Sequence, residues 1–158
     1  MGHRHRARER ALQCLYQWEA TGKDLERLFE GFWASQPESA EVVGFAERLV
    51  SGTVAGIETI DPLIDEQADN WRLDRMGNVD RNILRLGVYE LLNERDIPPA
   101  VVIDEAIELA KRFSGSQAGP FVNGVLDGIR RRLGQRVKGS GSDAVADSDV
   151  DKKAGQEN

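Results

Sequence analysis

Hydrophobic residues recur along the chain at three- and four-residue intervals, which is the spacing of one face of an α-helix. Within residues 6–20, for example, Ala7, Ala11, Leu15 and Trp18 form one apolar stripe. The sequence shows no sustained alternation of apolar and polar residues, the pattern that would indicate β-strands. It therefore predicts an all-α fold of about seven helices.

Turn and cap residues predict where the helices begin and end. The fifth helix carries apolar residues around more than half of its circumference, so we expect it to be the central helix, enclosed by its neighbours. The first predicted helix covers residues 6–20, the second starts at about Asp24, the third at Pro37 and the fourth at residues 59–62. The fifth covers residues 79–94 after a cap at Asn78, the sixth covers 101–113, and the seventh runs from 120 to about 133.

The length of 158 residues suits one domain. We expect a single helical domain over residues 1–138, made of two small packed bundles at about 1–58 and 59–138. Residues 139–158 lack aromatic residues and any apolar face, so we expect a disordered acidic tail there. No apolar run approaches the length of a membrane-spanning helix, and the arginine-rich start lacks the apolar stretch of a secretory signal, so we expect a cytoplasmic protein.

Charge is distributed unevenly along the chain. Four arginines (Arg4, Arg6, Arg8 and Arg10) and one glutamate give residues 1–12 a net charge of +3, whereas the whole chain carries −6. Guanidinium groups stay charged and pair bidentately with phosphate, so this cluster favours binding of a polyphosphate backbone. On a helix, Arg4 with Arg8 and Arg6 with Arg10 would form two ridges beside the apolar stripe. A solvated, fraying amino terminus is the alternative interpretation.

Two aromatic residues are candidates for base stacking. Tyr16 lies off the apolar stripe and close to the arginines, where its ring could stack on an unpaired base. Phe121 follows Gly119 and Pro120 at a helix entrance, where a ring is either a hydrophobic staple or an exposed platform. From the residues alone the staple is favoured.

The residues give no support for catalysis or metal binding. One cysteine, Cys14, with only His3 and His5 provides too few ligands for a zinc site. Asp104 and Glu108 are spaced as a solvated helix face, and neither a phosphate-binding glycine loop nor a nucleophile–base pairing is present. The sequence therefore predicts no cofactor, no metal and no catalytic residue.

Several blocks of the sequence, over roughly residues 6 to 133, resemble the NusB family of transcription antitermination factors. Two of them, 104–111 and 121–127, are the most specific. The blocks read Arg-Ala-Arg-Glu (6–9), Ala-Leu-Gln-Cys-Leu-Tyr (11–16), Val-Asp-Arg-Asn-Ile-Leu-Arg (79–85), Tyr-Glu-Leu (89–91), Ile-Pro (97–98), Asp-Glu-Ala-Ile-Glu-Leu-Ala-Lys (104–111) and Phe-Val-Asn-Gly-Val-Leu-Asp (121–127).

The resemblance implies a bacterial protein that binds boxA RNA, the antitermination signal of ribosomal RNA operons. It also implies a heterodimer with the ribosomal protein NusE and membership of the RNA polymerase antitermination complex. The residues that it implies for RNA binding are Arg4, Arg6, Arg8, by proximity Arg10, then Tyr16 and Phe121, while Asp80 would face the ribosomal protein.

Two other classes of function are compatible with a helical domain of this kind. A similar domain precedes the catalytic part of certain RNA cytosine methyltransferases, although this chain ends in a polar tail without a nucleotide-binding sheet. A scaffold or homodimer that binds only proteins would need no more than the broad apolar faces.

Overall fold

A computed structural model describes residues 2–68 and 76–144, with side chains up to residue 134. This part of the chain forms seven α-helices and no β-strand, which confirms the predicted all-α fold. None of the described helices is long and apolar enough to cross a membrane. The helices are α1 (His3–Thr21), α2 (Leu25–Ser35), α3 (Ala40–Ala55), α4 (Ile57–Gln67), α5 (Asn78–Asn93), α6 (Pro99–Phe113) and α7 (Ala118–Ala144).

Local capping explains where the first helices end and begin. Gly22 adopts a left-handed conformation (φ 70°) that ends α1. The side chain of Asp24 accepts a hydrogen bond from the backbone N–H of Arg27 and so caps α2. Ser39 caps α3 in the same way through Val42 N–H. The prediction that Pro37 opens the third helix is wrong, because the helix starts after the Ser39 cap.

Two further helix starts differ from the predictions. The fourth helix begins at Ile57, so Pro62 lies inside it. Asn78 is the first residue of α5 instead of its cap, and Gly77 occupies the cap position. The Asn78 side chain accepts a hydrogen bond from Arg81, which leaves it no role in capping the helix N-terminus. Such errors arise because several neighbouring residues can cap a helix, and tertiary packing selects among them.

Helix α5 is central, as the pattern predicts. It packs against α1, α3, α4 and α6. Its residues Ile83, Leu84 and Val88 are fully buried. A glycine permits close packing on one side, since a Cβ atom at Gly87 would lie 2.8 Å from Leu126 Cδ1.

The chain divides into two compact units, residues 1–126 and 127–158. The predicted division into subdomains at about 1–58 and 59–138 places the boundary elsewhere along the chain, and it stays a prediction. Helix α7 continues to Ala144, beyond its predicted end near Leu133, so residues 139–144 of the expected tail are helical. The rest of that tail, residues 145–158, lies outside the described residues.

Candidate RNA interface

The first helix presents its arginines on two sides, in agreement with the predicted i, i+4 ridges. Arg4 and Arg8 approach the ring of Phe45 on α3, at 5.1 and 5.7 Å from its centroid. Arg6 and Arg10 instead converge on the carboxylate of Glu38, in the link between α2 and α3. The two ridges therefore have different partners.

The ridge of Arg6 and Arg10 shares a single carboxylate. Both Nε atoms donate to Glu38 Oε2, at 2.8 Å from Arg6 and 2.7 Å from Arg10. The hydrogen bond from Arg10, and then the one from Arg6, hold the pKa of Glu38 below its ordinary value, although partial burial acts against them. This group, the Glu38 cluster, holds two positive charges against one negative charge.

Arg8 lies in the interior, with only 4% of its side chain exposed. Its Nε and Nη2 donate to the carboxylate of Glu90 on α5 at 2.8 to 3.1 Å. Burial raises the pKa of Glu90 although Arg8 acts in the opposite direction. The phosphate contact that the resemblance implies for Arg8 is at odds with this placement, because its guanidinium is enclosed and already paired.

Arg4 lies at the rim of a cavity that surrounds Phe45. Half of its side chain is exposed, and its nearest carboxylate, that of Asp96, is 3.6 Å away. A third guanidinium, that of Arg48, stands 5.1 Å from the Phe45 centroid. Arg48 also donates two hydrogen bonds to Glu94. The cavity has a volume of about 680 Å³, and its lining includes Phe45, the three arginines and the side chains of Glu41 and Glu105.

Tyr16 is one of two large hydrophobic side chains that the described part of the chain exposes, at 47%. This exposure confirms that it lies off the apolar stripe. It lines a separate cavity of about 380 Å³, the Tyr16 cavity, together with Gln13 and Phe113. Trp18, predicted to belong to the core, is half-buried.

Phe121 and Asp80 lie together. Both line a cavity of about 610 Å³ whose wall includes the link 114–117 between α6 and α7. Oδ1 of Asp80 is buried, with no hydrogen-bond partner among the described residues. An unpaired buried carboxylate oxygen is costly, so this cavity suits a ligand that supplies a donor.

Sequence reasoning missed Glu38, Phe45 and Glu90 as parts of this surface. Glu90 carried a usable signal, because a carboxylate within the apolar central helix must find a buried partner. Glu38 carried none, since it sits in a polar link far along the chain from the arginines that it binds. Phe45 lies within the third helix, where it is half-buried and has three guanidinium groups within 5.7 Å of its ring centroid.

Comparison with known proteins identifies relatives over most of the chain. The model of the NusB family matches residues 5–131. The transcription antitermination protein NusB of Sorangium cellulosum (strain So ce56) is 45% identical over 135 residues, which are 85% of this chain and 96% of that protein. Its counterpart from Anaeromyxobacter sp. (strain Fw109-5) is 50% identical over 131 residues, which are 82% of this chain and 91% of that protein.

The fold is also similar to solved structures over most of the chain. A crystal structure of antitermination factors NusB and NusE in complex with dsRNA matches with a TM-score of 0.76 and 34% identity, covering 84% of this chain and 98% of that one. T. maritima NusB matches with a TM-score of 0.71 and 41% identity, covering 80% and 90%. Since sequence and fold agree over most of both lengths, the chain belongs to the NusB family.

Proposed function

We propose that this protein is a transcription antitermination factor that binds boxA-type single-stranded RNA together with the ribosomal protein NusE, within the RNA polymerase antitermination complex that supports transcription of ribosomal RNA operons. The observation that carries the proposal is the similarity, over 84% of the chain, to a structure of NusB and NusE in complex with dsRNA, which supports binding of RNA together with NusE. The choice of a single strand and of boxA follows the family resemblance. The cluster of exposed arginines at the start of α1 supports the proposal, because RNA binding needs such a concentration of positive charge.

Arg4 and Arg6 are the best candidates for phosphate contacts, since half of each side chain is exposed. Their ion pairs with Asp96 and Glu38 do not prevent this role. The exposed pair of Arg4 with Asp96 contributes only about 0–1 kcal/mol, so an RNA phosphate can replace that carboxylate at little cost. Only 10% of the Glu38 side chain is exposed, but Glu38 keeps its hydrogen bond from Arg10 when Arg6 turns to a phosphate. Arg10 is more covered, and it contributes through the excess positive charge of the Glu38 cluster.

Arg8 has a positioning role in this proposal. Its buried pair with Glu90 attaches α1 to the central helix, and this attachment holds Arg4 and Arg6 at the surface. It cannot bind phosphate without leaving Glu90 as an unpaired buried carboxylate, which is far more costly than breaking an exposed pair.

Sequence preference comes from the aromatic residues in the proposal. Phosphate contacts fix register but carry no sequence information, whereas unstacked bases can stack on Tyr16 and Phe121. Asp80 lies beside Phe121, so we place the ribosomal protein against this cavity, where a basic group from NusE would satisfy the unpaired Oδ1. In this arrangement RNA and protein partner meet at Phe121.

The proposed role requires no chemical step. Burial raises the pKa of the single cysteine thiol, that of Cys14, to about 12, so it is not a nucleophile at neutral pH. We therefore propose a non-enzymatic adaptor, which acts in the cytoplasm where transcription takes place.

A gel-shift series tests the proposal. The full chain, with and without NusE, is titrated with boxA-type single-stranded RNA and with a double-stranded RNA across a range of salt concentrations. We expect the tightest binding for the single strand with NusE present. Replacing both Arg4 and Arg6 by alanine should weaken binding to every RNA and reduce the slope of log K against log salt by about 0.7 for each phosphate that is no longer neutralised.

The matched control replaces both Arg130 and Arg131 by alanine, because 44% and 64% of their side chains are exposed and both pair with a single carboxylate, that of Asp127, on α7. We expect it to keep more of the salt dependence than the Arg4 and Arg6 variant. Phe121→Ala should reduce the preference for boxA over other single strands and leave the salt slope unchanged. Failure of the wild type to bind boxA RNA with NusE present would contradict the proposal.

A further inference from the structure

A group of polar side chains joins the end of α1 to the start of α5 and to α4. Glu19 on α1 accepts two hydrogen bonds from Arg81 on α5, at 2.8 and 3.0 Å. It accepts one more from each of Asn82 and Arg85, both at 3.1 Å. Arg85 also donates two hydrogen bonds to Asp61 on α4, both at 2.9 Å. These five side chains form the Glu19 network, in which two arginines face two carboxylates.

The Glu19 network is largely shielded from water. Arg81 and Arg85 expose 11% and 9% of their side chains, and Asn82 is fully buried. Burial acts to raise the pKa of Glu19, but the hydrogen bonds and charges of Arg81, and then the charge of Arg85, hold that pKa below its ordinary value. Glu19 is therefore a carboxylate at neutral pH, and shielded arginines depend on such a partner.

Arg81 extends the network to the wall of the cavity that Asp80 lines, here called the Asp80 cavity. Its Nη1 donates to the Met76 carbonyl at 2.7 Å, and its Nη2 donates to the side chain of Asn78. These acceptors lie on either side of Gly77, and both Met76 and Gly77 line the cavity. Gly77 has no side chain with which to cap α5, so Arg81 supplies a contact that fixes the start of this helix.

The same first turn of α5 carries Asp80, whose buried Oδ1 has no hydrogen-bond partner among the described residues. That oxygen can receive a donor from a protein partner only if the turn is held in place, because a binding site needs support behind the residues that make contact. We propose that Glu19 is a positioning residue for the ribosomal protein NusE: acting through Arg81, it holds the wall of the Asp80 cavity and joins that wall to α1. The inference rests on the proposed function and adds a link between its two binding sites.

A support shared with α1 has a consequence for binding, because α1 also carries the arginines proposed to contact RNA. A ligand at either end of the network restrains α1 and α5 together, so the second ligand loses less conformational freedom when it binds. Such coupling is reciprocal: NusE must raise the affinity for RNA by the same factor by which RNA raises the affinity for NusE. This coupling factor is the quantity that Glu19 should control.

Glu19→Gln tests the inference, since glutamine keeps the size of the side chain and removes its charge. Calorimetry on the full chain measures the Kd of NusE with and without boxA-type single-stranded RNA, and the Kd of the RNA with and without NusE. We expect the variant to bind NusE more weakly and the coupling factor to fall by about two- to thirtyfold. Its affinity for RNA in the absence of NusE should not fall.

Asp61→Asn is the matched control within the same network. Asp61 and Glu19 expose 25% and 24% of their side chains, and each accepts two hydrogen bonds from one arginine. Asp61, however, binds Arg85, which donates to Glu19 and Asn82 instead of to the cavity wall. Thermal unfolding should show that both variants lose stability, and only Glu19→Gln should lower the coupling factor. A purely structural role would change both variants alike.

Amide hydrogen exchange provides a second readout that needs neither NusE nor RNA. The amide of Arg81 donates to the Gly77 carbonyl at 3.0 Å, so its exchange reports opening of the first turn of α5. Exchange at position 81 should be faster in Glu19→Gln and in Arg81→Lys, because lysine lacks the fork that reaches several acceptors at once. It should be unchanged in Asp61→Asn.

The possible failures are distinguishable. If Glu19→Gln and Asp61→Asn have the same NusE affinity, coupling factor and exchange at position 81, Glu19 has no positioning role and the proposed function stands. If Glu19→Gln weakens NusE binding equally with and without RNA, the inferred link between the two binding sites is wrong. If the wild type binds no NusE, the proposed function fails and the inference fails with it.

Discussion

The Arg8–Glu90 pair and the Glu38 cluster both belong to α1, but they differ in how far water reaches them. Arg8 and Glu90 expose 4% and 3% of their side chains, whereas Arg6 exposes 52% and its partner Glu38 exposes 10%. The distances are similar, about 2.8 Å in each case. Hydrogen-bond geometry alone therefore does not separate a structural ion pair from an exchangeable one.

Solvent access decides the difference between them. A buried charge that loses its partner keeps its desolvation penalty, so Arg8 and Glu90 depend on one another. An exposed guanidinium that loses its carboxylate is hydrated again, so Arg6 can exchange Glu38 for phosphate. In the proposed function, one run of alternating arginines combines anchoring of the helix with binding of RNA.

The largest expected effect comes from breaking the buried pair. Glu90→Ala leaves the buried Arg8 guanidinium with only the more distant carboxylate of Glu105, at 3.7 Å, and it should lower the free energy of unfolding by about 3–5 kcal/mol. Urea denaturation measures this change. Glu108→Ala is the control, because Glu108 is exposed and its pair with Lys111 is long, at 3.9 Å, so it should change stability by less than about 0.5 kcal/mol.

A double variant separates charge burial from packing. Replacing both Arg8 and Glu90 by methionine removes the charges and retains most of the volume, so it should recover much of the stability lost in Glu90→Ala. If the double variant is folded and its RNA binding has the wild-type salt slope, Arg8 does not contact phosphate. A reduced slope would show that Arg8 reaches the RNA.

A smaller effect is expected at the Glu38 cluster. Glu38→Gln removes the carboxylate that Arg6 and Arg10 share, so both arginines become available to RNA. We expect RNA affinity to rise by up to about fivefold at low salt, which corresponds to about 1 kcal/mol, and stability to change little. Filter binding measures the affinity, and unchanged or weaker binding would show that Glu38 does not compete with RNA.

The smallest expected effect is on pH dependence, where the two regions differ in sign. The pKa of Glu38 is lowered, so its contribution to stability is complete above its ordinary value of 4.5 and is lost as the pH falls through the lower folded value. The pKa of Glu90 is raised by burial, so its contribution is lost instead as the pH rises through the folded value.

Thermal unfolding across acidic pH measures this difference. With Glu38→Gln, stability should fall less steeply below pH 4.5 than in the wild type. The variant in which methionine replaces both Arg8 and Glu90 should show the same fall as the wild type. Equal flattening in both variants would contradict the assignment of the acid-sensitive contact to the Glu38 cluster.

Much of the fold and part of the site could be predicted from the sequence. The apolar stripe of α1 and the broad apolar surface of α5 predicted the core and the central helix correctly, because periodicity is a local property. Tyr16 was expected off the stripe and is exposed. The helix starts after Ser39 and at Ile57 were missed, because proline and several polar residues nearby give competing signals.

The sequence by itself determined the helical class, the family and the arginine cluster at the amino end, since each is written in residue spacing and short motifs. Only the tertiary structure decided which arginines reach water. Arg6 and Arg8 have the same side chain and charge, but Arg8 faces α5 and its Glu90, 82 residues along the chain. Burial and partner choice depend on how distant segments pack, and residue spacing along one helix does not contain that information.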